Sequence, residues 1–326
     1  MMPVLRSIPS RYKPMATVAQ LHRPVLLEEV LTALQVRQDG IYVDATFGRG
    51  GHSRAILERL GSEGRLLALD QDPEAQQAAE QRFSADPRFV FVRASFSQLA
   101  EIVTEQGWLG RVDGVLMDLG VSSPQLDCAE RGFSFSQDGP LDMRMNPAVG
   151  ESAAQWLATA SEKDIVTVLK DLGEERFAKR IARHLLAARQ EAPITRTAQL
   201  AALIAEAMPY RELHKHPATR SFQAIRLHVN QELPALDAAL AGTPSLLAPG
   251  GRLAVISFHS LEDRRVKQFM RREARGQTLP RHLPIRGEAP GKQFRLLGKA
   301  IRPSEAEVAA NPRSRSAVLR VAERLS

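Results

Sequence analysis

From Ile41 to Val121 the chain alternates short apolar runs with longer amphipathic stretches. The runs are "IYVDAT", "RLLALD", "FVFVRA" and "VDGVLMDLG"; between them lie "SRAILERL", "PEAQQAAEQRF" and "FSQLAEIVTEQ". This rhythm predicts β-α-β units and hence an α/β fold with a parallel, doubly wound, Rossmann-like sheet. In that architecture the turn after the first strand sits at the carboxyl edge of the sheet, where ligands bind.

The rhythm changes near Ser152, and through Leu240 the pattern is almost wholly helical. Ser161 and Asp164 have capping spacing ahead of a face formed by Ile165, Val168, Leu169 and Leu172, which Gly173 ends. In "EERFAKRIARHLL" the residues Phe177, Ile181 and Leu185 share a face. Lys179, Arg180 and Arg183 lie elsewhere around that helix, as on an ordinary solvated surface. Strand character returns at "GGRLAVISFHS" and at "SRSAVLRVAE". The simplest organisation is one α/β domain, residues 22–140 and 244–326, interrupted by a helical insertion over residues 141–243. Residues 1–21 read as a flexible basic extension: the first fourteen carry Arg6, Arg11, Lys13 and three prolines but no acid, and Met15 reads as an alternative start.

Composition narrows the setting. A chain of 326 residues with 44% hydrophobic content is globular, and its net charge of +7 favours a polyanionic partner such as nucleic acid. The single cysteine, Cys128, forms no internal disulfide, and no C-x-x-C pair suggests a metal site, so a cytoplasmic protein is expected. No run of about 18 apolar residues predicts a membrane span, and the amino terminus lacks a signal-peptide core.

The candidate chemistry starts at "DATFGRGGHS", residues 44–53, a glycine-rich turn between a strand and a helix. Three ligands compete for Gly48, Gly50 and Gly51. A phosphate loop needs a lysine followed by a hydroxyl residue, and His52 and Ser53 stand there instead. A nicotinamide site prefers glycine or alanine at Ser53. S-adenosylmethionine needs close backbone approach at the turn and an acid after the next strand, where Asp70 closes "RLLALD". That acid also suits NAD, so the turn alone leaves the choice open.

Longer strings decide it. "DLGVSSPQLDCAERGFSFSQDGPLDMRM" (Asp118–Met145), "HRPVLLEEV", "ERFAKRI", "HPATRSFQAIRLHVNQEL", "PGGRLAVISFHSLEDRRVK" and "NPRSRSAVLRVAE" occur in one order over nearly the whole chain. Together they resemble the bacterial 16S ribosomal RNA cytosine-N4 methyltransferases, which modify a cytidine of the decoding centre. The resemblance implies a class I methyltransferase domain that uses S-adenosyl-L-methionine and acts on 16S rRNA, in the small ribosomal subunit; the sequence itself gives no sign of a membrane or of an obligate protein partner. It carries cofactor contacts onto Gly50, Gly51, His52, Asp70, Phe96, Asp118 and Gln125. The glycines would let a ligand approach the backbone, and Phe96 would cover an aromatic face.

An exocyclic amine is a poor nucleophile, because its lone pair is delocalised into the ring. The enzyme must align it with the methyl donor and accept hydrogen bonds from its protons, a task for Asp118, Ser122 and Ser123 at the end of the fourth strand. The chain lacks the D-P-P-Y or N-P-P-Y tetrapeptide common among amino methyltransferases. Methylation at C5 would need a cysteine nucleophile, and Cys128 has no identifiable activating partner. The triplet His214 to His216 reads as loop polarity, and His259 as a residue lining the RNA site or finishing a turn.

For RNA, residues 264–302 hold twelve lysines and arginines against two acids, with Arg271, Arg272 and Arg275 clustered among them. "RGFSF" adds Arg131, Phe133 and Phe135 as a cation and aromatics for an extracted base, with core packing the alternative for the two rings. Two other functions fit part of the pattern. One is an S-adenosylmethionine-binding rRNA assembly factor without catalysis; the other is an NAD-dependent oxidoreductase.

Overall fold

The computed structural model describes residues 24–209, 216–276 and 290–326. Seven strands, β1 (Ile41–Asp44), β2 (Arg65–Asp70), β3 (Phe89–Arg93), β4 (Val112–Asp118), β5 (Leu247–Ser257), β6 (Phe294–Leu296) and β7 (Val318–Arg324), form one sheet in the order β3-β2-β1-β4-β5-β7-β6. The first five are parallel, and β7 runs antiparallel between β5 and β6. The order reverses at β1, so the crevice at its carboxyl end is the expected ligand position.

The helices in chain order are α1 (Leu27–Leu34), α2 (Gly51–Leu57), α3 (Pro73–Phe83), α4 (Leu99–Glu105), α5 (Ser123–Asp127), α6 (Ala153–Thr159), α7 (Glu162–Asp171), α8 (Ala178–Glu191), α9 (Thr197–Ala207), α10 (Thr219–Val229), α11 (Glu232–Leu246), α12 (Ser260–Arg275) and α13 (Glu305–Ala310). Successive strand residues point to opposite faces. Leu66, Ala68, Leu116 and Ile256 therefore pack on one side with Val30, Ile56 and Phe83 of α1 to α3. Leu67, Leu69, Val115 and Val255 pack on the other with Val103, Leu240 and Val266 of α4, α11 and α12. Both faces are covered, which explains why the strands are continuous apolar runs with no polar alternation.

A third core is mainly helical. It joins Leu141 and Met143 to α6 through α10, with Ile165, Leu169, Ile181, Leu185 and Ile225 fully or almost fully buried. Ser161 caps α7 by accepting from the Asp164 amide at 3.2 Å, and Phe177 stands where α8 begins. One boundary differs from the sequence pattern. Helix α11 begins inside the expected insertion, residues 141–243, and runs past its end, and its Leu236, Ala239 and Leu240 pack in the α/β core. Helical periodicity reports that a face is buried, not which neighbour buries it. The expected extension, residues 1–21, lies outside the described residues.

Candidate active site

Asp44, Asp70 and Asp118 end β1, β2 and β4, three neighbouring strands, so their carboxylates converge on one edge of the sheet. Asp44 accepts from Ser53 Oγ at 2.7 Å and from the Thr46 amide at 3.2 Å. Asp70 accepts from the amides of Gly48, at 2.8 Å, and Asp72, at 2.9 Å. The amide of Asp118 donates to Thr46 Oγ1 at 2.6 Å, and its Oδ2 lies 3.7 Å from His52 Nδ1. Asp118 Oδ1 is buried and has no hydrogen-bond partner among the described residues. Burial raises Asp44 and Asp70 to about 6. Burial, then the negative charges of Asp44 and Glu262, raises Asp118 to about 8. Such a site is short of positive charge and favours a cationic ligand.

The turn after β1 assigns different work to its glycines than ligand approach alone. Gly50, at φ +75°, has no room for a Cβ against Phe47 and Phe83, both within 2.7 Å. At Gly51 a Cβ would come 2.4 Å from Pro24. These two positions are closed by internal packing. Gly48, at φ +56°, is the open one: its nearest neighbour would be Ser122 Cβ at 4.0 Å, and its amide is fixed by Asp70. His52 is buried, with Nε2 3.1 Å from the Val25 carbonyl, and burial lowers it to about 4. It is neutral at pH 7; with the proton on Nε2, its Nδ1 lone pair faces Asp118.

Gln125 and Arg131 join a buried network beneath the site. Gln125 accepts from the Ser122 amide at 2.8 Å and donates to Asp72 Oδ2 at 2.6 Å. Arg131 Nη1 donates to Asp72 Oδ2 at 2.9 Å and to Glu74 Oε1 at 3.2 Å; Nη2 donates to the carbonyls of Arg144 and Met145. This corrects the expectation that Arg131 faces RNA. Its side chain is only 10% exposed and both terminal nitrogens are committed inside the protein, while Nε is buried without a partner among the described residues. Phe133 is buried as well, with the Arg131 guanidinium 5.7 Å from its ring centre. The stretch "RGF" is framework, because a buried aspartate requires a cation.

Phe135 behaves differently: it is half-buried and lies 4.5 Å from the His216 ring and 4.8 Å from Phe222, centre to centre. Arg271, Arg272 and Arg275 are exposed on α12, with Arg272 paired to Glu273 at 2.9 Å. Residues 277–289 of the basic segment, and His214, lie outside the described residues. Cys128 is an exposed free thiol, and the described residues contain no group of three metal-binding side chains.

Beside Asp118 a cleft is lined by Thr46, Phe96, Leu119, Gly120, Met145, Glu232, Leu236 and Glu262. Phe96 was expected here. Glu232 and Glu262 were not, although a carboxylate five residues past the end of β5, in "SFHSLED", is a legible signal. Glu262 Oε2 accepts from the amides of Phe258, at 2.9 Å, and His259, at 3.3 Å. Glu232 is held by Arg226 through two contacts, at 2.8 and 3.1 Å.

Comparison with known proteins adds four findings. A family model described as the MraW methylase family matches residues 19–325. The ribosomal RNA small subunit methyltransferase H of Thioalkalivibrio sulfidiphilus (strain HL-EbGR7) is 65% identical over 309 residues, which cover 94% of this chain and 98% of that protein. Among solved structures, an rRNA methylase from Streptococcus thermophilus aligns over 94% of this chain and 100% of its own, at 14% identity and a TM-score of 0.39. The 1,6-didemethyltoxoflavin-N1-methyltransferase of Burkholderia thailandensis, with bound S-adenosylhomocysteine, aligns over 92% of this chain and 77% of its own, at 14% identity and a TM-score of 0.38.

Proposed function

The chain belongs to the MraW methylase family, and from that premise we propose that it transfers a methyl group from S-adenosylmethionine to the exocyclic N4 amine of a decoding-centre cytidine in 16S rRNA. The observation that carries this reading is the buried Oδ1 of Asp118, without a partner among the described residues, at the carboxyl end of β4 between β1 and β5.

The residues fit the cofactor. S-adenosylmethionine supplies an activated methyl group on a sulfonium cation, and a site with three carboxylates of raised proton affinity favours that charge. Asp70 retains acceptor capacity for ribose hydroxyls beyond its two amide bonds. Gly48 leaves room at the backbone, and Phe96 offers an aromatic face at the cleft. Gly50, Gly51, His52 and Gln125 act one step back, by holding the turn, Asp118 and Asp72 in place.

On the substrate side, Asp118 accepts a hydrogen bond from the N4 amine and orients its lone pair, with Ser122 and Ser123 as neighbouring acceptors. A cytosine must leave its stack to reach the sheet edge. A gap between that edge and the helical core is the entry this reading calls for, with Phe135, half-buried against His216 and Phe222, as a platform and Arg271, Arg272 and Arg275 as phosphate contacts. Small ribosomal subunits lacking the modification, incubated with labelled S-adenosylmethionine, are expected to yield N4-methylated cytidine on nucleoside analysis; naked rRNA and DNA serve as parallel acceptors. In the same assay Asp118→Asn is expected to slow single turnover at saturating cofactor by about tenfold or more, or about 1.4 kcal/mol. A normal rate in the folded, saturated variant would pass the acceptor role to the serines or backbone carbonyls.

A further inference from the structure

Glu262 has no part in the cofactor contacts, yet it sits beside the reacting edge. Strands β4 and β5 are parallel neighbours, with Asp118 opposite Ile256. Two residues past Ile256 the chain turns into α12, and Glu262 reaches back to the Phe258 and His259 amides. Its carboxylate is thereby anchored at the end of β5, next to the end of β4. It is 2% exposed and lines the same cleft as Leu119 and Gly120, the residues that follow Asp118.

We propose that Glu262 is a positioning residue for the transfer: its anchored charge directs the proton shed by the methylated amine onto Oδ1 of Asp118. The proposal rests on the methyl-transfer reading above. The N4–CH3 bond forms as the S–CH3 bond breaks, its electron pair stays on sulfur, and the N4 proton passes to Asp118 Oδ1. One positive charge thus leaves the sulfur and one proton arrives at the acid cluster, so the local charge is unchanged across the step.

Glu262 itself is not the acceptor. One oxygen is occupied by two amides, and the other lies 3.1 Å from His259 Nε2. Burial works to raise it, but the His259 ring, Arg226 and the Phe258 amide outweigh burial and hold it ionised. Asp118 Oδ1 has no such partner among the described residues, so the negative charge that Glu262 keeps makes it the place where a proton is most stabilised. The groups that bear on Asp118 are Asp44 from β1, His52 from α2 and Glu262 from α12. Glu232 with its partner Arg226, and His259, bear on Glu262 behind them.

The test uses Glu262→Gln, which removes the charge while glutamine still serves at this position of a helix cap. Proton release on binding S-adenosylmethionine, without RNA, is measured by calorimetry in buffers of different ionisation enthalpy across pH 5 to 9. In the wild type the cation should expel the Asp118 proton, and Glu262→Gln should move the midpoint of that release down by about one pH unit, a tenfold change in proton affinity. Glu262→Asp, which keeps the charge, should return most of that midpoint shift. Asp118→Asn should abolish the release above about pH 7, where Asp44 and Asp70, raised to about 6, are already ionised, and this control leaves Glu262 untouched. On RNA, Glu262→Gln should lower the single-turnover plateau and reach it at lower pH. Unchanged proton release in Glu262→Gln or in Asp118→Asn overturns the proposal, as does a rate loss with unmoved proton linkage. Because the proton count needs no RNA, its failure is distinguishable from failure of the cytidine reading.

Discussion

Replacing Arg131 separates a framework cation from an RNA contact. Arg131→Met keeps the side-chain volume but removes the donors to Asp72, Glu74 and the carbonyls of Arg144 and Met145. Breaking a buried ion pair by removing one partner costs about 3–5 kcal/mol, since the remaining charge is left uncompensated. Here Asp72 keeps bonds from Gln125, at 2.6 Å, and from the Glu74 amide, at 2.9 Å. These contacts place the loss at the low end, about 3 kcal/mol, or a fall of about 6–12 °C in Tm for a domain of this size. Thermal unfolding followed by circular dichroism reads that fall. The double variant with Asp72→Asn should lose less than the sum of the single losses, because the second change removes the stranded charge. The salt dependence of RNA binding, measured below the transition, should be unchanged. A wild-type Tm together with a salt slope reduced by about one would mean that Arg131 contacts a phosphate, and the buried-network reading would be refuted.

The exposed cations should behave in the opposite way. Neutralising Arg271, Arg272 and Arg275 together is expected to weaken RNA binding and flatten its salt dependence while cofactor affinity and Tm hold; an unchanged slope would move the RNA surface to the helical insertion. A third outcome concerns pH in the cofactor-free protein. Asp118 keeps its proton in the fold up to about 8, whereas its ordinary value is 3.8. Between those values the folded state binds a proton that the unfolded state does not, so this residue's contribution falls as pH rises. The Tm of Asp118→Asn minus that of the wild type should therefore grow from pH 5 to pH 8 and then level off, and a flat difference would remove Asp118 from its acid cluster.

Much of this architecture was legible along the chain. Strand runs, the glycine turn, the acids closing β2 and β4, and the capped start of α7 all depend on local spacing, and local spacing is what hydrophobic periodicity and capping report. Asp70 and Asp118 could be read as edge residues because a strand end is a one-dimensional feature. The function of a neighbouring residue was less accessible. "RGFSF" suggested a cation and two rings for RNA, and the fold turned Arg131 and Phe133 inward while leaving Phe135 beside His216. Nothing in that string states that Asp72, 59 residues upstream, is buried beneath it and needs a counter-charge. The same limit applies to α11, whose apolar face is plain in the sequence although its partner is the sheet.

The turn shows the division most sharply. The sequence places glycines at positions 48, 50 and 51, but only packing decided what each is for: Phe47, Phe83 and Pro24 close off two of them, and Gly48 alone stays open. Glu262 is the complementary case. It is distant from Asp118 in sequence, and adjacency of β4 and β5 brings its charge to the same edge. Secondary structure follows from short-range patterns, whereas charge, burial and proton affinity at a site depend on which strands become neighbours. That information exists only after the chain has folded back on itself.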